Sequence, residues 1–157
     1  MSNKIHTYDV TVEWTGNRGT GTSSYRAYDR SYDIRADGKV AIQGSSDSAF
    51  RGDPACWNPE DLLVASASAC HKLSYLHLCS VNKVVVLGYV DAAHGIMEEG
   101  DLGGKFVKII LRPTVTISAD SDAAVAKKLH HDANSICFIA NSMSCPIEHE
   151  PTIIKVT

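Results

Sequence analysis

The eighteen residues Leu62–Cys79 contain neither glycine nor proline and are apolar or small on nearly every helical face. A helix with so little polar surface is not a surface helix; it belongs at the centre of the molecule, covered on most sides. Its start is written just upstream. Asn58 is a good N-cap, Pro59 suits the first helical position, and Glu60 and Asp61 place negative charge in the first turn. The run Ala65-Ser66-Ala67-Ser68-Ala69 is thin enough for a second helix to approach closely.

The flanking segments read as strands. Tyr8, Val10, Val12 and Trp14 alternate with Asp9, Thr11 and Glu13, the period of a half-buried strand. An extended run over 21–34 and a hairpin signal at Asp37-Gly38 precede the short strand Val40–Ile42. Two long strands are expected over 84–97 and 105–118, joined by the glycine-rich loop 100–104. Asp120-Ser121-Asp122 caps a second helix over 123–143, which Pro146 stops, and 151–156 closes the chain as a strand. The order β-β-β-α-β-β-α-β, without βαβ alternation, specifies an α+β fold. No repeat, low-complexity tract or linker appears, so residues 1–157 are expected to form a single domain.

A net charge of −3 argues against a nucleic-acid partner, which demands a basic face. No apolar run reaches the roughly eighteen residues of a membrane span, and Met1–His6 lacks the apolar core of an export signal. A soluble protein in the reducing cytoplasm is therefore expected. The five cysteines, Cys56, Cys70, Cys79, Cys137 and Cys145, are an odd number and do not suggest a disulfide framework there. They are buried small hydrophobes, metal ligands or reactive thiols.

Position alone does not choose among these. Cys70 lies eleven residues past Pro59, beyond the reach of the helix dipole, so as a nucleophile it needs a nearby cation. Its alternative is a small residue filling a tight helix crossing. Cys137 can meet Cys70 only if the two helices pack together, and Cys145 lies past the second helix beside Pro146. His71, His77, His130 and His131 share these helices, yet no Cys-x-x-Cys or His-Glu-x-x-His motif is present. Cys70 and His71 also point about 100° apart on a helix. The histidines are accordingly expected on polar faces or in hydrogen bonds. Gly19-Thr20-Gly21-Thr22 precedes no helix and is not a phosphate loop, and Glu98-Glu99 reads as solvated.

The stretch from Asn58 to Cys70, Asn-Pro-Glu opening the helix and Cys70 ten residues after Glu60, closely resembles the signature of the OsmC/Ohr family of hydroperoxide reductases. The segment Ala133–Ser142 looks like that family's second cysteine segment, and the element order agrees, so the resemblance covers nearly the whole chain. It implies an intertwined homodimer with antiparallel sheets wrapping two central helices. It further implies that Cys70 is the peroxidatic cysteine, Cys137 the resolving one, and Glu60 part of a Glu-Arg-Cys network. Three arginines are candidates for that network. Arg51 sits nearly where OsmC proteins place theirs, Arg30 resembles an arginine of a divergent subgroup, and Arg18 is similar to the Ohr pattern. The chain departs from better-known members in carrying His71 where Phe is frequent and Phe138 after Cys137. A Cys-Pro pair occurs instead at Cys145-Pro146, which makes Cys145 the alternative resolving thiol and marks a divergent OsmC-like subgroup.

The resemblance thus implies a thiol peroxidase that reduces organic hydroperoxides through a Cys70 sulfenic acid and a disulfide, using an external dithiol and no metal, haem or flavin. Ten residues of straight helix rise about 15 Å and turn about 1000°. Glu60 and Cys70 share a site only if the helix breaks between them or Glu60 comes from a partner chain; the second is the expectation. Two rival readings are a non-enzymatic relative that binds a small apolar ligand or senses redox state, and a metal-binding protein.

Overall fold

The computed structural model describes residues 3–157, which divide into two compact units, the first ending at Leu62 and the second running Leu63–Thr157.

The first unit is a three-stranded antiparallel sheet, β1 (Thr11–Trp14), β2 (Tyr32–Arg35) and β3 (Ile42–Gly44), with β2 central. Val12 pairs with Ile34, and Ile34 in turn with Ile42. The Asp37-Gly38 turn joins β2 to β3 as expected, with Gly38 at φ 67°. Gly44 has a steric reason to be glycine: a Cβ there would fall 2.2 Å from the Tyr32 ring. The extended run expected over 21–34 does not form. Residues 19–28 are turns and bends, and only Tyr32–Arg35 is strand. Polar side chains capture the backbone instead. Asn17 Oδ1 accepts from the Gly19 and Gly21 amides at 2.9 and 3.0 Å, and Arg30 donates to the Tyr28 and Tyr25 carbonyls.

Helix α1 (Pro59–Val81) starts with the predicted cap. Asn58 Oδ1 accepts from the Asp61 amide at 2.7 Å, while the Asp61 carboxylate accepts from the Asn58 amide. Within the second unit its inward stripe is Ala67, His71, Tyr75 and Cys79, one residue per turn. Both long strands break in two. β4 (Val86–Asp91) and β5 (His94–Gly100) replace the first; β6 (Gly103–Leu111) and β7 (Pro113–Ile117) replace the second. The hairpin bends at matching points, so β4 and β7 pair in one sheet while β5 and β6 pair in another. Asp91 secures the corner by accepting from the Arg112 amide at 2.7 Å and from Ser68 Oγ.

The second long helix also divides, into α2 (Ala123–Ile136) and α3 (Phe138–Ser142). The C-terminal strand is β9 (Thr152–Lys155), and an additional strand, β8 (Ile147–His149), precedes it. Both pair parallel, β8 with β6 and β9 with β7, so these sheets are mixed rather than purely antiparallel. The helical crossover of α2 and α3 after β7 brings the chain back in the same direction, which parallel pairing requires.

Two apolar clusters hold this unit together. Tyr75, Cys79, Val84, Val115, Ile117, Ala126, Leu129 and Ala133 join α1, α2 and the β4-β7-β9 sheet; Ala67 of α1 packs with Ile109 and Leu111 of β6. Each fully buried Ile, Leu or Val contributes roughly 1.5–3 kcal/mol of transfer free energy. No described helix is long and apolar enough to cross a membrane.

Candidate active site

The α1 stripe and the facing stripe of α2 share one apolar cluster, which places Tyr75 and Cys79 with Ala126, Leu129 and Ala133. Cys70 and Cys137 are near enough for the Cys70 sulfur to raise the Cys137 pKa. The two thiols sit in different surroundings. Cys70 is half-buried on α1, whereas Cys137 is 0% exposed. Burial pushes the Cys137 thiol up to about 11; the Cys70 sulfur adds to this, and the Ala140 and Ile139 amides pull the other way. At neutral pH Cys137 is therefore a thiol, slow to attack a peroxide by itself.

Cys137 is also where α2 stops. Its backbone is extended (φ −73°, ψ 115°), and its sulfur accepts from the Ala140 amide at 3.4 Å, capping α3. The expected continuous helix over 123–143 is therefore interrupted at the candidate thiol. Cys145, in the loop before β8, packs against the cluster of Ala67, Ile109 and Leu111. Cys79 is buried against Tyr75, and burial raises its pKa.

The other candidates lie in the first unit. Glu60 is near the Tyr32 phenol, whose pKa is raised by burial, then by Glu60 and by Cys56. Cys56 lines an open cleft of about 510 Å³ with Asp33, Ile42 and Trp57. Arg30 is clasped locally: its guanidinium lies 4.3 Å over the Tyr25 ring and 4.2 Å over the Tyr28 ring, besides its two carbonyl bonds. Arg51 ends a short 3-10 turn in the left-handed conformation (φ 66°) and is exposed. Arg18 bonds the Arg26 carbonyl and lies 3.7 Å from Asp29. Among the described residues no ion pair joins Glu60 to any of the three arginines. Helix α1 does not break between Glu60 and Cys70.

His71 and His130 meet one of the two expectations for the histidines, being hydrogen-bonded, but they are buried and bond each other. His71 Nε2 and His130 Nδ1 are 3.0 Å apart, and both residues are buried, at 1% and 0% exposure. The Tyr75 ring stacks on His130 at 3.8 Å, and His149 from β8 lies 5.8 Å from His71. Burial, followed by the neighbouring His149, lowers His71 to about 4. Burial, then His71 and His149, lowers His130 to about 3. The signal was present in the spacing: positions 67, 71, 75 and 79 form one stripe, and 126, 129, 130 and 133 form the facing one. Among the described residues no three His, Cys, Asp or Glu side chains are disposed to hold a metal ion.

Comparison with known proteins agrees with this architecture. The structure superposes with a TM-score of 0.84 on an OsmC-like protein of unknown function from Vibrio cholerae, 28% identical, covering 94% of this chain and 99% of that one. It matches an organic hydroperoxide resistance protein from Elizabethkingia anophelis at TM-score 0.70 and 16% identity, over 99% and 100% of the two chains. In sequence it is 31% identical over 91 residues to an uncharacterized protein of Methanocaldococcus jannaschii, a match covering 58% of this chain and 47% of that relative. The chain thus spans about half the length of the archaeal protein. The family model for OsmC-like proteins matches residues 52–152, well over half of the chain and inclusive of Glu60, Cys70, Cys137 and Cys145. The chain belongs to the OsmC-like protein family.

Proposed function

We propose that the protein is a thiol peroxidase that reduces organic hydroperoxides to alcohols, with Cys70 attacking and Cys137 resolving. One observation carries this reading: a half-buried cysteine on the central helix lies near enough to a second, fully buried cysteine to raise its pKa, and that second thiol stays protonated. In the reaction the Cys70 thiolate attacks the distal peroxide oxygen, and the O–O bond breaks. The alkoxide takes a proton and leaves as alcohol, and Cys70 becomes a sulfenic acid. The Cys137 sulfur then attacks Cys70, forming the S–S bond as the hydroxyl departs with a proton as water. An external dithiol reopens the disulfide by exchange and is itself oxidised.

The unbroken α1 bears on how Glu60 takes part. Ten helical residues separate Glu60 from Cys70 by about 15 Å, so Glu60 and an arginine, Arg30 or Arg51, serve Cys70 of a second copy. A homodimer follows from this reading, with one functional OsmC-like domain per chain. The exposure of apolar side chains supports it. Among the described residues no buried hydrophobic side chain precedes Ala67, while Val12 and Trp14 of β1, Val10 just before it, and Leu63 and Leu73 of α1 remain open to solvent. The reaction belongs in a reducing cytoplasm, where five free cysteines persist. An apolar surround favours bulky organic peroxides over hydrogen peroxide, because it gains by burying hydrocarbon.

The test is dithiol-coupled turnover of cumene hydroperoxide by the wild type and by Cys70→Ser. Cycling by the wild type and loss in the variant are expected; a variant that turns over normally sinks the reading. A wild type that oxidises once and does not cycle identifies a redox sensor instead.

A further inference from the structure

Two polar pairs lie side by side between α1 and the α2 segment that ends at the Cys137 cap. One is the Cys70–Cys137 pair; the other is the imidazole pair formed by the very next residue of α1, His71, and by His130, seven residues before Cys137. Seven residues are close to two helical turns, so Cys137, the residue that caps the end of α2, follows His130 along the same side. The two rings are nearly parallel, 9° apart, with centroids at 5.3 Å and nitrogens at 3.0 Å. Parallel rings with that separation meet edge to edge, so the hydrogen bond lies in their common plane and is strongly directional. Tyr75 stacked on His130 holds the ring in that plane.

Stability does not explain this arrangement. His71 Nδ1 and His130 Nε2 are buried and have no protein hydrogen-bond partner among the described residues. An apolar pair of similar size would avoid that penalty. The neighbouring contacts are apolar: Tyr75 and Cys79 of α1 share one cluster with Ala126, Leu129 and Ala133 of α2. Apolar contacts are non-directional, so a single directional polar contact among them can specify register.

We propose that His71 and His130 are positioning residues, whose mutual hydrogen bond sets the register of α1 on α2 and thereby brings the Cys70 and Cys137 sulfurs together. The inference rests on the reading of these cysteines as a redox pair, but not on hydroperoxide as their oxidant.

The test uses two double variants of identical composition. In the wild type the bond uses His71 Nε2 and His130 Nδ1. A glutamine amide reaches the Nε2 position and an asparagine amide the Nδ1 position. His71→Gln/His130→Asn therefore keeps the bond, and His71→Asn/His130→Gln removes it. Disulfide formation is driven by diamide, which takes two electrons and two protons from the thiols and becomes the hydrazine. It is followed by peptide mapping, with the Cys70–Cys137 reduction potential measured against dithiothreitol. The bond-keeping pair is expected to form the disulfide near the wild-type rate. The bond-breaking pair is expected to be slower by about tenfold to a hundredfold, the cost of misplacing reacting atoms by about an ångström, with its potential shifted toward the dithiol. Equal rates and potentials in the two folded variants overturn the proposal. Should either amide pair not fold, His71→Leu/His130→Leu is read as the bond-breaking form, and a wild-type rate in it also overturns the proposal. Because diamide replaces peroxide, absence of hydroperoxide turnover in the wild type refutes the peroxidase reading without touching this result.

Discussion

Acid should weaken this protein well before its ordinary carboxylates protonate, and the buried imidazole pair sets the size of the effect. His71 is held neutral in the folded state with its pKa lowered from 6.5 to about 4, first by burial and then by His149. In the unfolded chain it protonates near 6.5. Between those values the unfolded state binds more protons than the native one, so stability is complete above pH 6.5 and falls as the pH drops toward 4. At 1.36 kcal/mol per pH unit, His71 alone costs about 3 kcal/mol across that window. His130, lowered to about 3 by burial and by His71 and His149, pushes in the same direction. Asp91 on β4 opposes the shift at His71, His149 on β8 reinforces it, and His131 acts on His149. Tyr75 and Tyr89, both raised by burial, stay neutral throughout. For a domain of this size, about 3 kcal/mol corresponds to a melting temperature lower by roughly 6–12 °C at the acid end. Thermal melts at pH 7.5, 6.5, 5.5 and 4.5 should show that slope in the wild type. His71→Gln/His130→Asn, which cannot titrate there, should show a much flatter profile. An identical slope in the double variant, or a flat wild-type profile, would refute the assignment of acid sensitivity to this pair.

Three further outcomes are expected. Cys137→Ser should leave the Cys70 sulfenic acid unresolved, detectable as a persistent dimedone adduct by intact mass after one equivalent of organic peroxide; unchanged disulfide formation in that variant would move the resolving role to Cys145. Asp122→Ala removes the carboxylate that accepts from the Ala124 and Val125 amides at 2.7 and 3.1 Å, and should lower stability by about 1 kcal/mol in denaturant titration. Tyr89→Phe removes a buried hydroxyl with no hydrogen-bond partner among the described residues, so the same titration should show no loss, or a gain of about 1 kcal/mol.

Local chemistry made much of this fold legible. The Asn58 cap, Pro59 and the unbroken apolar run specify α1 because helix initiation and continuation depend on neighbouring residues. The Asp37-Gly38 turn and the Asp122 cap are legible for the same reason. Strand limits were not. The bend that moves the long hairpin from one sheet to the other depends on Asp91 meeting the Arg112 amide, twenty-one residues away. The turns over 19–28 depend on the side chains of Asn17 and Arg30 competing for backbone groups.

For the candidate site, the resemblance of Asn58–Cys70 and Ala133–Ser142 to the OsmC/Ohr signature nominated Glu60, Cys70 and Cys137, which position alone did not. It could not say which sulfur faces which, because 67 residues of chain separate the two cysteines and only the packing of α1 on α2 brings them together. Nor could it reveal the His71–His130 bond, since a histidine on an apolar stripe reads alike whether its partner is water or another ring. Pattern along the chain determines which face of each helix is buried. Which side chains meet across that buried face is decided by helix register and crossing, quantities that exist only once both helices are packed.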